Sequence, residues 1–339
     1  MSFEQVAGLP AGWRARAPEL DEVPLLTDLV ARHQQSVLGS SSVDPEAVAT
    51  EAVGMGSWTR RQVVVLDHRQ QPRAWARVHD RAAGRTVVAV DVDPACEEED
   101  VARVLYDWAE GVAIEVALQR GLPSTQLDSG TYADDERSRR WLASAGYVHA
   151  RTWLQMSRPV AAEEAQPGAL PPIRGGLRIR PVASHGNGLP VAAELQTVHQ
   201  LLEESFADHF NSYRESFPEF LMRLREDPGH RWDHWWIATA EIDGRHLPAG
   251  AVVSSVLPPD AAGRDGSYID YIGVHRRARG RGVAKALLHT VIADAARRGR
   301  NRVGLEVDAD SPTGADGLYT SMGWRTLYRT ESWHRTAST

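Results

Sequence analysis

The stretch Val274–Ala284, VHRRARGRGVA, joins an apolar segment to a long amphipathic one and decides how the second half is interpreted. Gly280 and Gly282 allow the backbone to approach a ligand with no Cβ in the way. The helix predicted over Val283–Arg298 would point its first free N–H groups at that ligand, and its dipole adds about half a positive charge. The loop also carries three arginines, Arg277, Arg279 and Arg281. The pattern predicts a diphosphate site, although a glycine-bearing turn with solvated arginines has the same composition.

Apolar periodicity outward from this loop predicts a unit of strands and helices. The predicted strands of the second half are Leu177–Val182, Trp235–Ile242, Ala249–Leu257, Tyr268–His275, Val303–Asp308 and Trp324–Trp333. Its predicted helices lie near Leu189–Phe206, Glu215–Glu226, Val283–Arg298 and Ala315–Met322. In the segment WDHWW, Trp235 or Trp236 is expected in the core.

The first half repeats this order of elements. Its closing segment, WLASAGYVHARTWLQMSR from Trp141, can be aligned with LYTSMGWRTLYRTESWHR from Leu318, so that Gly146 matches Gly323. Two copies of one α+β unit explain the repeat. An Ala-, Pro- and Gly-rich segment separates them, which predicts a first domain over residues 1–160, a linker over 161–176 and a second domain over 177–339.

Composition limits the possible functions. The chain has 339 residues and a net charge of −7, which argues against a general nucleic-acid binder. Cys96 is its one cysteine, and His209, His230 and His234 lack metal-binding spacing, so no metal is predicted. No stretch is apolar for about 20 residues, and the N-terminus has no apolar core of a signal peptide. A cytoplasmic protein is expected.

The sequence of this loop resembles the signature of a known family. Arg277–Gly282, RARGRG, matches the (Gln/Arg)-x-x-Gly-x-(Gly/Ala) signature of the GNAT superfamily of N-acetyltransferases, although Arg276 replaces a common proline. Leu305–Trp324 resembles the family's second strand–helix segment, with Ser311 near a frequent asparagine. The resemblance implies an α+β fold, an α/β sandwich, of two tandem GNAT domains. Each would have a mixed, mostly antiparallel central sheet flanked by helices.

The resemblance also implies an acetyl-CoA site. The main-chain amides of Arg279–Val283 would hold the CoA pyrophosphate. The strand ending at Ile272–Val274 would pair with the pantetheine arm, and Val303–Asp308 would separate from that strand. The residues expected to bind acetyl-CoA are Ile272, Gly273, Val274, Arg277, Arg279, Gly280, Arg281, Gly282, Val283 and Ala284.

Acyl transfer to an amine needs a group that accepts the amine proton and a group that protonates the leaving thiolate. Tyr319 stands at the family's tyrosine and is the expected acid, although a tyrosine packed in the core is the alternative. Asp270 and Glu306 are the candidate bases, because both lie in predicted apolar strands. For each, a carboxylate paired with arginine or water is an equal alternative, and Asp270 is preferred because its strand would bind the acyl donor.

The segment Leu201–Tyr213, LLEESFADHFNSY, lies where the family builds its acceptor-binding wall. Carboxylates, an imidazole and a phenol could bind a cationic amine there, although a solvated helix face has the same composition. The residues assigned to the acceptor are Glu204, Asp208, His209 and Tyr213.

The first half is expected to have lost the acyl-CoA site. Aligning Val92–Pro94 with Val274–Arg276 places Ala95–Asp100, ACEEED, on the arginine loop, a swing of seven charges. Such acids repel a pyrophosphate, although they also suit the first turn of a helix. Leu142 takes the position of Tyr319. The first half is therefore expected to be a scaffold.

The sequence thus predicts an acetyl-CoA-dependent N-acetyltransferase that acts on the primary amine of a small molecule by direct attack in a ternary complex. Two alternatives stay open: a non-catalytic acyl-CoA-binding or sensor protein, and an acyltransferase that uses another acyl-CoA. The expected partner is a small-molecule amine, with no nucleic acid and no membrane, and the protein is expected to be a monomer or a homodimer.

Overall fold

A computed structural model describes residues 6–81, 84–206, 215–310 and 314–339 of the chain. Its contacts divide the chain into two compact units. The first unit contains Met1–Leu154, Asp308–Asp310 and Tyr328–Thr339, and the second contains Gln155–Val307 and Ser311–Leu327. Each unit therefore holds one half of the chain, with the closing segments exchanged.

Twelve strands and eight helices are assigned within the described residues. The strands are β1 (Arg14–Arg16), β2 (Arg60–Leu66), β3 (Pro72–Arg81), β4 (Arg85–Val92), β5 (Ser124–Tyr132), β6 (Val148–Pro159), β7 (Leu177–Pro181), β8 (His230–Ile242), β9 (Arg245–Leu257), β10 (Gly266–Val274), β11 (Arg302–Asp308) and β12 (Arg325–Ser338). The helices are α1 (Val23–Leu38), α2 (Pro45–Ala52), α3 (Asp100–Gln119), α4 (Glu136–Ser144), α5 (Ala192–Phe206), α6 (Phe217–Arg225), α7 (Val283–Arg297) and α8 (Ala315–Ser321). None of these helices combines the length and apolar character needed to cross a membrane.

The sheet of the first unit has the order β1-β2-β3-β4-β5-β12. Its neighbouring strands are antiparallel except for β4 and β5, which are parallel. Helices cover both faces of this sheet, as the alternation of β2 shows. Val63 and Val65 pack with residues of α3, whereas Val64 and Leu66 pack with α1 and α2. Because successive side chains of a strand point to opposite faces, the apolar run of β2 is buried on both sides.

The sheet of the second unit has the order β7-β8-β9-β10-β11-β6. Antiparallel pairs join β7 to β8, β8 to β9 and β9 to β10, whereas β10 and β11 are parallel. Trp235 of β8 and Val253 of β9 pack with apolar residues of α5 and α6. On the opposite face, Gly250 of β9 lies against Val283 and Leu287 of α7. The α+β fold with mixed, mostly antiparallel sheets flanked by helices is confirmed in both units.

The closing strands of the two halves are exchanged. Residues 328–338 of β12 belong to the first unit and pair with β5, while residues 155–159 of β6 belong to the second unit, where β6 lies beside β11. The domains expected over residues 1–160 and 177–339, with a linker over 161–176, stay a prediction. Composition marks where a chain is exposed, but it does not show which sheet a strand joins.

In the second half of the chain the order of elements agrees with the prediction, and the start of β8 and the end of β12 each differ from it by five residues. Strand β8 begins at His230, whereas the predicted one begins at Trp235. The first five residues of the strand include the polar residues Arg231 and Asp233, so the apolar run that marks the strand begins only at Trp235. Trp235 and Trp236 are both buried, as expected of at least one of them.

The close approach of β9 to its neighbours gives a test of the second unit. A Cβ on Gly250 would lie 2.7 Å from the carbonyl oxygen of Gly273 and 3.0 Å from Cγ1 of Val283. We expect Gly250→Ala to lower the free energy of unfolding by about 1–3 kcal/mol, because backbone must move to admit the methyl group.

The matched control is Gly111→Ala on the exposed side of α3, where an added Cβ has no neighbour within 4 Å. The free energy of unfolding of this variant should rise by up to about 1 kcal/mol, because alanine has a higher helix propensity than glycine. Urea denaturation of both variants and the wild type measures the effects. Equal stability of Gly250→Ala and the wild type would contradict the close packing.

Candidate active site

The parallel strands β10 and β11 separate in the middle of the second sheet. Their pairing runs from Ser267 opposite Val303 to Ile269 opposite Leu305. Five residues of β10 and three of β11 follow the last pair. On its other side β10 stays paired with β9 as far as Val274. One edge of β10 is therefore without a strand partner in the part of the chain that the structure describes, and this edge includes the predicted Ile272 and Val274.

Asp270 is the first residue of β10 after the last pair, and it lies in a β-bulge. Its neighbours Ile269 and Tyr271 are opposite consecutive residues of β9, so Asp270 has no residue opposite it. A bulge changes the direction of a side chain without ending the strand. Here the guanidinium of Arg223 in α6 lies 5.3 Å from the ring centroid of Tyr271. Its positive charge also favours the ionised form of the Asp270 carboxyl. The bulge thus turns Asp270 toward α6.

This environment raises the pKa of Asp270 to about 7. Burial is the largest cause, because the loss of water penalises the charged carboxylate, and the nearby Asp227 carboxyl adds to the effect. The Ser255 hydroxyl donates a hydrogen bond to Oδ1 of Asp270 at 3.1 Å and, with the Arg223 charge, opposes the rise. A carboxyl with a pKa near neutrality can accept a proton and release it again at physiological pH.

Glu306 is the first residue of β11 after the last pair, so the two candidate bases begin the separated part of each strand. Its side chain is exposed, whereas Asp270 is half-buried. The surrounding protein atoms still raise the pKa of Glu306, and the side-chain amide of Gln155 donates a hydrogen bond to its Oε2. That hydrogen bond stabilises the charged form of Glu306. Asp270, whose pKa is raised to about 7, is therefore the more suitable proton acceptor of the two.

Tyr319 lies on α8, where only 7% of its surface is exposed. Its ring packs edge-on against Trp324 with a centroid distance of 5.9 Å. Burial raises the pKa of the phenol to about 12, so it keeps its proton at neutral pH. Among the described residues its hydroxyl has no hydrogen-bond partner, which leaves its proton for a bound ligand.

The loop between β10 and α7 presents main-chain amides without a cap. Gly282 is the N-cap residue with a φ of +85°, no side chain caps the helix and no acid lies in its first turn. Gly280 has a φ of +76°, which glycine adopts without strain. The remaining predicted side chains of this loop, Arg277, Arg279 and Arg281, are exposed. An anion with several oxygen atoms is the ligand that this arrangement would stabilise.

The other predicted acetyl-CoA residues lie beside this loop. Val283 and Ala284 form the first turn of α7, where N–H groups have no partner within the helix. Gly273 lies against α5, because a Cβ at this position would be 2.9 Å from the hydroxyl of Ser205. The sequence-predicted residues are thus brought together at the end of β10, and their binding of acetyl-CoA stays a prediction.

The carboxylate of Glu204 lies at the end of β10, where it is paired with His275. Its Oε2 lies 2.9 Å from Nε2 of His275, and Nδ1 of His275 accepts a hydrogen bond from the main-chain N–H of Arg277. Glu204 therefore connects α5 to the loop through His275, and its role in amine binding stays a prediction. The other predicted acceptor residues, Asp208, His209 and Tyr213, lie outside the described residues.

In the first unit the equivalent loop is filled by the protein itself. Arg137 of α4 donates hydrogen bonds to the carbonyl oxygens of Pro94 and Cys96, and its Nε lies 3.1 Å from Oε1 of Glu99. Trp141 donates to the same carboxylate at 2.7 Å. Of the acids that replace the arginine loop, Glu99 is thus engaged in an internal network, and the expected loss of a phosphate site stays a prediction.

The separated strands of the first unit are also bridged. The parallel pairing of β4 and β5 ends before the last residues of both strands. His33 of α1 lies across their ends, with Nδ1 3.1 Å from Oδ1 of Asp91 and Nε2 2.7 Å from Oδ2 of Asp135. Arg77 donates to the other oxygen of Asp91 at 2.6 Å. An ion-pair network occupies the place that corresponds to the open edge of β10.

This network is charged at neutral pH. Burial alone would lower the pKa of His33, but the hydrogen bonds and charges of Asp135 and Asp91 raise it to about 9. Burial likewise opposes ionisation of the two carboxyls, but their partners hold both pKa values below the ordinary range. Leu142, at the position of Tyr319, is fully buried in the apolar core and offers no proton.

Two residues near the candidate site were missed by the sequence reasoning. Arg158 of β6 donates from Nε to the carbonyl oxygen of Met322 at 2.8 Å and so fixes the end of α8. Arg174 packs beside Gly282 at the start of α7. Both arginines are more than 100 positions from their contacts, and neither lies in a motif. In the described ranges no group of three or more histidine, cysteine or acidic residues could hold a metal ion.

Comparison with known proteins gives a family match for the second half of the chain. The model of the "Acetyltransferase (GNAT) family" matches residues 195–324, which include Asp270, the arginine loop, Glu306 and Tyr319. Residues of the chain also align with a mycothiol acetyltransferase of Jonesia denitrificans, at 27% identity over 201 residues. The alignment covers 58% of this chain and 59% of that protein, so it spans less than two thirds of the relative.

Solved structures extend the likeness in fold to both units of this chain. A GCN5-related N-acetyltransferase from Sphaerobacter thermophilus superimposes with a TM-score of 0.76 at 23% identity, covering 98% of each chain. A tandem GNAT protein from the clavulanic acid biosynthesis pathway has a TM-score of 0.69 at 15% identity, covering 96% of this chain and 98% of that one. The fold expected from the sequence, with two α+β units in tandem, is confirmed.

The ion-pair network of the first unit predicts a stability effect with a defined pH dependence. The pKa of His33 is raised from 6.5 to about 9 in the folded state. The protonated imidazole should therefore stabilise the fold fully below pH 6.5, and this stabilisation should disappear as the pH rises through 9. Near neutral pH we expect His33→Gln to lower the free energy of unfolding by about 2–3 kcal/mol.

The control is His68→Gln, which changes an exposed histidine of the same unit. Denaturant titrations at pH 6, 7, 8.5 and 10 compare the wild type with both variants. A difference between wild type and His33→Gln that stays constant up to pH 10 would show that the charge of His33 is not responsible.

Proposed function

We propose that this protein is an acetyl-CoA-dependent N-acetyltransferase that transfers an acetyl group to the primary amine of a small molecule. The observation that carries the proposal is the position of Asp270. Its carboxyl, with a pKa near 7, lies at the bulge where β10 and β11 begin to separate, and the uncapped start of α7 follows at the end of β10. A proton acceptor and an anion-binding loop on one strand suit transfer from a phosphate-bearing acyl donor.

The residues of the second unit fit acetyl-CoA. The amides at Gly282, Val283 and Ala284 have no side-chain cap and would hold the pyrophosphate, with the loop arginines adding charge. The unpaired edge of β10 at Ile272–Val274 would bind the peptide-like groups of the pantetheine arm. When bound, acetyl-CoA supplies the acetyl group in activated form, as a thioester.

The proposed reaction uses two proton transfers by residues of this chain. Asp270 accepts a proton from the amine nitrogen, directly or through a water molecule, so that the neutral amine can attack. Tyr319 holds a proton on its hydroxyl at neutral pH and donates it to the departing sulfur. The only cysteine, Cys96, is buried in the first unit, so the second unit offers no thiol for an acyl-enzyme. Direct attack within a ternary complex is the simplest route.

The proposal is tested by amine-dependent thiol release from acetyl-CoA. A suitable panel contains amino acid derivatives, aminosugars and a mycothiol precursor, since one relative is named a mycothiol acetyltransferase. Intersecting initial-velocity lines would support the ternary complex. Binding of CoA without release from any amine would favour a sensor protein, and release only from longer acyl-CoA molecules would replace acetyl with another acyl group.

Asp270→Asn should lower kcat/KM at pH 7 by about 100-fold or more, because the amide cannot accept the proton. In the wild type, kcat/KM should rise with pH through about 7, as the carboxyl loses its proton. Glu306→Gln is the comparison, because it removes the other candidate base. Loss of the rise in Glu306→Gln, with its retention in Asp270→Asn, would reverse the assignment.

Tyr319→Phe should lower kcat by about 100-fold and leave the Kd for CoA within about twofold, because only the proton donor is removed. The matched control is Tyr147→Phe, which removes a buried hydroxyl of the first unit for which the described residues offer no hydrogen-bond partner. Turnover, and CoA binding by calorimetry, are measured for both variants. Unchanged turnover in Tyr319→Phe would exclude this residue as the acid.

A further inference from the structure

The segment between the two halves, residues 161–176, carries an arginine to the candidate phosphate site. Arg174 begins a tight turn in which the N–H of Leu177 donates to the Arg174 carbonyl oxygen at 3.1 Å. Gly176, with a φ of +80°, accepts a hydrogen bond from the N–H of Glu241 at 2.9 Å. The turn is therefore attached to the end of β8, which fixes the backbone of Arg174 within the second unit.

The side chain of Arg174 lies directly beside the start of α7. A Cβ built on Gly282 would be 3.2 Å from Cδ of Arg174 and 3.6 Å from its Cζ. Arg174 and Arg281 also line one surface pocket, and Arg281 donates to the carbonyl oxygen of Glu241 at 3.2 Å. Arg174 and Arg281 thus border the same depression, and Arg174 also lies against Gly282, the N-cap residue of α7.

The charges at this position do not favour the fold. A helix N-terminus carries about half a positive charge, so that nearby cations are unfavourable there. The first turn of α7 contains no acid, and the guanidinium of Arg174 has no ion pair or hydrogen bond within the described ranges. Two other arginines of this unit, by contrast, are held by acids in the pairs Arg158–Glu164 and Arg223–Glu215. An anion between Arg174 and the helix would remove this repulsion.

We propose that Arg174 binds the CoA pyrophosphate, so that residues 161–176 form part of the acyl-CoA site and are not only a connection between the two halves. The inference rests on the proposed function, because it needs CoA to bind at α7. A planar guanidinium can donate two parallel hydrogen bonds to phosphate oxygens, which an exposed arginine at this distance can reach by rotating its side chain.

Calorimetric titration with CoA and with 3′-dephospho-CoA tests the proposal in the full-length protein. The variants are Arg174→Gln and the matched control Arg178→Gln, which removes an exposed arginine four positions away on β7. We expect Arg174→Gln to raise the Kd for both ligands by about tenfold, since both contain the pyrophosphate, and Arg178→Gln to change neither by more than about twofold.

The outcomes separate this inference from the proposed function. Wild-type protein that binds neither ligand would overturn the proposed function and the role of Arg174 with it. Tight binding by the wild type together with an unchanged Kd in Arg174→Gln would overturn only the role of Arg174. A loss confined to CoA would assign Arg174 to the 3′-phosphate and overturn the pyrophosphate contact. Unchanged thermal unfolding of the variants shows that each effect concerns binding.

Discussion

The candidate site depends on the loss of hydrogen bonding between β10 and β11 after the pair Ile269–Leu305. In a continuous sheet the N–H and C=O groups that follow would be paired, and no extended ligand could reach them. Once the strands separate, the edge of β10 is open and Asp270 is left in a bulge. The strand then ends at the loop whose glycines begin α7. One interruption of pairing thus aligns a carboxyl, an edge that no described strand pairs with and the loop proposed to bind a diphosphate along a single strand.

The first unit contains a similar interruption of strand pairing, between β4 and β5. Its strands β4 and β5 also cease pairing before they end, but His33, Asp91 and Asp135 bridge the opening with hydrogen bonds. The corresponding loop is occupied by Arg137. Both units therefore have a mixed, mostly antiparallel sheet flanked by helices, and in the first one polar side chains of the protein itself bridge the ends of the separated strands. This bridging favours the hypothesis that the first half is a scaffold, which stays a prediction.

Much of the second unit follows from local sequence. The loop at Arg277–Gly282 could be recognised because its glycines and charges are adjacent in the chain, and Tyr319 because it follows a short helical pattern at the family's spacing. The bulge at Asp270 could not, since it depends on the register with β9. Arg174, Arg158 and His33 were missed for a related reason. Their functions or contacts arise from folding that joins distant segments, and a single arginine or histidine carries no local signal of its partner.

The exchange of closing strands has a consequence for the order of synthesis. The first unit is complete only when residues 328–338 pair with β5, and these residues leave the ribosome more than 190 positions after β5. Until then β5 is an open edge, which can pair with other chains. The chain is therefore most prone to aggregation during synthesis, after the first half has been made and before β12 is available. Folding of the first unit thus depends on the final strand of the second half.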